Sequence, residues 1–143
     1  MKQARGRLVF EIHSPRMPLV RLGTAMLFAK DLQRLTEFYH EALGLPVIEG
    51  TSAPGWVELD AGGVRLALHA IPPRIARQIE ITHPPRAREE SPMKLQFEVD
   101  DLYAVRRRLV HYGATMFEPK NSGICDGLYP EGNVFSLLPV NVG

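Results

Sequence analysis

Cysteine occurs once in the 143 residues, at Cys125. A single thiol excludes an intrachain disulfide and a zinc site built from several cysteines, and it fits a reducing cytoplasm. Charge of one sign is also scarce as an excess: 17 Lys and Arg stand against 16 Asp and Glu, a formal net charge of +1. A dedicated nucleic-acid binder carries a basic excess on one face, so no nucleic-acid partner is expected. No apolar run approaches the roughly 20 residues that cross a bilayer, and no membrane partner is expected. The opening MKQARGRLVFEIHSP has no long apolar stretch and no small-residue cleavage site, so it does not read as a signal peptide. The five histidines form no HxH or HxxxH pair, so no metal-binding spacing is visible.

What is present suits one ordinary domain. Apolar residues make up 45% and charged residues 23%, enough to bury a core. Twelve prolines and twelve glycines punctuate a chain of short elements, which argues against a helical bundle. Two helices of similar design are predicted. In residues 31–44, Leu32, Leu35, Phe38, Tyr39, Ala42 and Leu43 form one stripe, with Asp31 as cap and Gly44 as stop. In residues 101–113, Leu102, Val105, Leu109 and Tyr112 form the stripe, between Asp101 and Gly113. Strands are expected at 24–30, 56–60, 64–70, 94–100 and 133–139, with turns at Ala61-Gly62-Gly63 and Pro130-Glu131-Gly132.

The offsets between these pieces reveal a repeat. Asp31 to Asp101, Gly62 to Gly132 and Leu27 to Phe97 are each 70 residues, so each half reads strand, helix, then several strands. Between Gly44 and Gly113 the offset is 69, a slip of one residue. The organisation is then an arm over 1–20 (with a possible edge strand at 7–12), a first module over 21–71, a linker over 72–91 and a second module over 92–143. The Pro-rich linker reads as a connector or as a cover for a cleft.

At this point DLQRLTEFYHEALGLPV (31–47), WVELDAGGVRLALH (56–69), LQFEVDDL (95–102) and LYPEGNVFSLL (128–138) carry a resemblance. The chain resembles the vicinal oxygen chelate superfamily, which includes glyoxalase I, extradiol dioxygenases, and fosfomycin and bleomycin resistance proteins. The resemblance implies an α+β fold of two tandem βαβββ modules. Each would curl a four-stranded mixed sheet into half of a barrel-like cleft. In the family's enzymes, a divalent metal sits there on four inward side chains, one from the first and one from the last strand of each module, and acts as a Lewis acid.

Carried onto this sequence, those four positions are Thr24, Leu66, Lys94 and Ser136, again in pairs 70 apart. The family's His, Glu or Gln is missing from all of them. Leu66 has no donor atom, Lys94 would repel a cation, and neutral hydroxyls are poor ligands. Neighbours one residue away (Gly23, Ala25, Arg65, Ala67, Met93, Leu95, Phe135, Leu137) supply no ligand set either. No metal and no other cofactor is therefore expected. Lys94 reads as an anchor for a ligand oxyanion, or as a lysine that reaches the cleft mouth or pairs with Glu58 or Glu98. Thr24 and Ser136 would add hydrogen bonds. Leu66, Leu68, Phe97, Trp56 and Tyr129 would line the cleft, with Trp56 either a stacking wall or a packed core or interface residue. Cys125 reads as an inert strand thiol.

The expected function is a glyoxalase- or bleomycin-resistance-like, metal-free, cytoplasmic protein binding a small, anionic or aromatic molecule. Its partners would be that ligand and a second copy in a homodimer. The alternatives are a lyase, isomerase or dioxygenase of the same superfamily, for which no catalytic residue is assigned, and an interaction module with a closed cleft.

Overall fold

The computed structural model describes residues 19–88 and 90–140. The expected strand at 7–12 lies outside them. The first half begins with strand β1 (Thr24–Ala29) and helix α1 (Leu32–Thr36), which continues without a break as a π-helical segment (Glu37–Ala42). Asp31 caps α1 by accepting from the Arg34 N–H at 3.1 Å. Phe38 and Tyr39, consecutive in this π-helical segment, are both buried. Strands β2 (Trp56–Asp60) and β3 (Arg65–Ala70) complete this half as a hairpin. The second half runs β4 (Leu95–Val99), helix α3 (Leu102–His111), β5 (Thr115–Met116), β6 (Cys125–Leu128) and β7 (Val134–Pro139). Asp101 caps α3 through the Ala104 N–H, matching Asp31. A short helix, α2 (Pro73–Ala76), interrupts the linker.

The strands form two mixed sheets. One has the order β1-β3-β2 and the other β4-β7-β6-β5. In each, the strand before the long helix runs parallel to the last strand, and the remaining pairs are antiparallel. The four-stranded expectation holds for the second sheet only. In the first sheet the missing strand is reduced to one bridge, Val47 to Leu59. The segment before it is LGLPVIEGTSAPG, whose prolines and glycines cannot sustain a ladder.

Both sheets contribute to one shared core. Ala29, Leu66 and Leu68 from the first meet Phe135, Leu137 and Cys125 from the second, with the helices between them. Helix α1 makes the joint. The Phe38 ring stacks on Tyr129 with centroids 4.0 Å apart, and Tyr39 lies 6.2 Å from Phe97. Burial, with the charge of Glu131 adding to it, pushes the Tyr39 phenol well above its ordinary value. Arg108 of α3 donates to the carbonyls of Glu41 and Ala42, each at 2.8 Å, satisfying the open C-terminal end of α1.

The linker is pinned at three points. Lys30 Nζ donates to the carbonyls of Ala76 (2.6 Å) and Ile79. Arg88 donates from Nε to the Glu131 carbonyl and from its backbone N–H to Gly132. Gly132 is required here: its φ is +85°, and a Cβ would sit 2.2 Å from the Arg86 carbonyl oxygen.

Candidate functional site

Strand alternation gives each sheet a core face and an open face. On the first sheet, Ala25, Leu27, Leu66 and Leu68 face the core. Thr24, Met26 and Phe28 of β1, Arg65, Ala67 and His69 of β3, and Trp56 and Glu58 of β2 share the other face by register. On the second sheet, Leu95, Phe97, Phe135 and Leu137 face the core, while Gln96, Ser136 and Asp126 share the open face. Met26 and Leu27 of β1 and Leu95 of β4 line one small cavity of about 50 Å³.

The register relocates one expected position. Ala25 pairs with Leu66 in the first half, but Leu95 pairs with Phe135 in the second. The first strands are therefore 70 residues apart (95 − 25) and the last strands only 69 (135 − 66). The counterpart of Ser136 is Ala67, not Leu66. One residue along a strand is the opposite face, and Leu66 accordingly lies in the core at 2% exposure.

Thr24, Lys94, Ser136 and Trp56 belong to the open sides. Leu68, Phe97 and Tyr129 do not line them. Leu68 and Phe97 have the parity of the core-facing residues, and Tyr129 is held under Phe38. Their apolar surface is used to join the two halves.

On the second sheet the open face carries a polar cluster. Ser136, itself buried, donates its hydroxyl to Asp126 Oδ1 at 2.6 Å. Lys94 Nζ lies 3.5 Å from the same oxygen, and Lys120 Nζ lies 3.2 Å from Oδ2. Burial alone would raise the Asp126 carboxyl. The hydrogen bonds from Ser136 and Lys120 and the charges of Lys94 and Lys120 together outweigh it and hold the group below its ordinary range. The partner of Lys94 is thus Asp126 rather than Glu58 or Glu98. Hairpin symmetry could have found it: Pro130-Glu131-Gly132 centres on residue 131, and residues equidistant from it, such as 126 and 136, must pair.

Glu58 serves the first sheet instead. It accepts from Trp56 Nε1 at 2.8 Å and from Arg65 Nη1 at 2.9 Å. His69 joins the aromatics: its ring lies 5.3 Å from Trp56 and 5.7 Å from Phe28. This face presents an aromatic row, with Phe28 58% and Met26 41% exposed. Phe28 and Met26 were not singled out from the sequence, because apolar residues on a short strand do not reveal which face they occupy. Cys125 is fully buried, and its thiol donates to the Phe117 carbonyl.

The donor set does not suit a divalent ion. Ala67 has no donor, Ser136 donates its proton to Asp126, and Lys94 is a cation beside that carboxylate. Among the described residues, no three His, Cys, Asp or Glu side chains gather in a way that could hold a metal.

Asp126→Asn tests the polar cluster. The folded carboxyl titrates below its unfolded value, so its stabilising contribution is complete above the ordinary Asp range and is lost as pH falls through the lower folded value. At about pH 7 the variant is expected to be less stable by about 1 kcal/mol, a modest figure because both lysines are half exposed. Urea midpoints should converge as the pH is lowered below the ordinary Asp range. A gap that stays constant would contradict the pairing.

Two mixed sheets, each with a parallel first and last strand and a helix between them in sequence, define a glyoxalase-type fold. The Glyoxalase-like domain family matches residues 24–138, and the chain belongs to that family within the vicinal oxygen chelate superfamily. No curated protein matches the sequence. Among solved structures, TnmS3, an antibiotic binding protein from Streptomyces sp. CB03234, superposes with a TM-score of 0.62 at 20% identity, covering 87% of this chain and 98% of that one. A glyoxalase/bleomycin resistance protein/dioxygenase family enzyme from Burkholderia phytofirmans PsJN gives 0.65 at 22%, covering 82% and 97%. The fosfomycin resistance protein FosX from Mesorhizobium loti gives 0.60 at 14%, covering 89% and 95%. At these identities the likeness is one of fold.

Proposed function

We propose that this glyoxalase-like chain binds a small molecule without a metal, on the open faces of its two sheets. The observation that carries the reading is the Lys94–Asp126–Ser136 cluster. Two lysines around one carboxylate leave a local charge of +1 where the resemblance puts a metal in the superfamily's enzymes. That charge suits a carboxylate or other oxyanion of the ligand, with Thr24 as a hydrogen-bonding neighbour and Ser136 holding Asp126 in place. The row of Trp56, His69 and Phe28 supplies a stacking surface for an aromatic body. An antibiotic binding protein and an antibiotic resistance protein share the fold, which supports a binding role. A second copy of the chain is the proposed cover for the exposed Met26 and Phe28.

The test is elemental analysis of untagged protein purified without chelator, followed by thermal unfolding with added Zn, Ni, Mn and Fe(II). Metal below about 0.1 per chain, and no added stability, is the expected result. Near-stoichiometric metal would overturn the metal-free reading and favour a lyase, isomerase or dioxygenase.

A further inference from the structure

The linker builds a concavity lined by none of the open-face residues. It roofs a cavity of about 500 Å³ over the β1–α1 and β6–β7 turns, with Ile79, Ile81 and Pro130 as its apolar lining. An adjoining cavity of about 240 Å³ shares Glu80, Ile81 and Glu131. Together they hold five cations, Lys30, Arg34, Arg77, Arg86 and Arg88, against three carboxylates, Asp31, Glu80 and Glu131. His83 also lines the larger one.

The hydrogen bonds then separate the charged groups that are already engaged from those whose donors remain available, while the net excess of two positive charges stands. Lys30 spends its ammonium on two linker carbonyls, and Arg88 spends its Nε on the Glu131 carbonyl. Glu131 spends both oxygens on the backbone N–H groups of Lys30 and Asp31, at 2.9 and 2.8 Å. Asp31 caps α1. Among the described residues this leaves the guanidinium groups of Arg34, Arg77 and Arg86 without a hydrogen-bonded or ion-paired partner, against one such carboxylate, Glu80. Arg34 is also held in place, its guanidinium lying 5.7 Å from the centre of the buried Tyr129 ring.

We infer that this linker cavity is a binding site for a small organic oxyanion, a carboxylate or phosphate monoester with a compact apolar body. Guanidinium forks grip either oxyanion with paired hydrogen bonds, and the isoleucines and Pro130 receive the apolar part. The inference stands independently of the open-face reading, because it uses different residues.

The test is an amide NMR titration of the full chain with phenyl phosphate, with benzoate and with uncharged phenol. One or both anions should shift the amides of residues 30–34, 77–83 and 131, saturating below about 10 mM, and phenol should not. Arg77→Gln and Arg34→Gln should each weaken binding about tenfold. Arg77 is exposed and its side chain has no partner among the described residues, so its variant should fold normally even if Arg34→Gln disturbs the Tyr129 contact. The inference fails if neither anion shifts these amides, if phenol binds as well, if Arg77→Gln has no effect, or if the shifts fall on β2, β3, β6 or β7 instead. Shifts of the last kind would belong to the open faces, so failure here and failure there are separable.

Discussion

Phe38→Ala is expected to cost about 3–5 kcal/mol of folding stability, the range for a large aromatic removed from a closed core. The ring has no exposed surface. It stacks on Tyr129 at 4.0 Å, meets Tyr39 edge-on at 5.1 Å and lies 5.6 Å from Phe135. Tyr129 and Phe135 belong to the second half of the chain, so the cavity left behind would open at the joint between the halves. Urea unfolding should show a lower midpoint. If the joint is the weak point, the transition should also broaden as the halves begin to unfold separately. A loss below about 1 kcal/mol would mean that α1 does not couple the two sheets.

Glu131→Ala should cost about 2–4 kcal/mol for a different reason. The carboxylate is 4% exposed and accepts the Lys30 and Asp31 N–H groups across about 100 residues of sequence. It therefore ties the turn after β1 to the turn before β7. Removing it leaves two backbone donors facing a hole in which the Ala side chain offers no acceptor. Glu131→Gln retains one acceptor oxygen and should lose about half as much. Equal stability of the Ala variant and the unmodified chain would show that water replaces the carboxylate at no cost. The same variant should loosen the linker, because Arg88 docks on this turn, and limited proteolysis within 77–88 should quicken.

Much of this architecture was legible before any coordinates. Asp31 and Asp101 each precede a stripe of apolar residues, and each proved to be a helix cap. Trp56–Asp60 alternates around a Gly-Gly turn, and it is a strand with those ends. The second module's strand β5 was not placed, and β6 was expected only through Cys125, read as a strand thiol, without a range. Thr115–Met116 is too short to show a period, and Cys-Asp-Gly-Leu has the composition of a turn. The same limit applies to the π-helical stretch, which shares the apolar stripe of an ordinary helix.

The site was harder to read because it depends on a parity. A repeat of 70 residues holds between the first strands, whereas the last strands are 69 apart, and one residue exchanges core for open face. Leu66 was therefore placed on the wrong face, and Ala67 holds its position. Likewise Tyr129, Phe97 and Leu68 carry side chains suited either to a ligand or to a core, and nothing local to them distinguishes the two.

By itself, then, the sequence determined the helices with their caps and the main strands. These follow from local spacing and residue chemistry, which a single stretch of chain contains in full. Only the tertiary structure decided which face each strand turns inward, that Asp126 takes both Lys94 and Lys120, and that Glu131 staples two distant turns. It also decided that residues of the Pro-rich linker line an open concavity of about 500 Å³ together with the β1–α1 turn. Each of these is a contact between residues far apart in sequence. Such contacts are selected by how the whole core packs, and no local pattern records that.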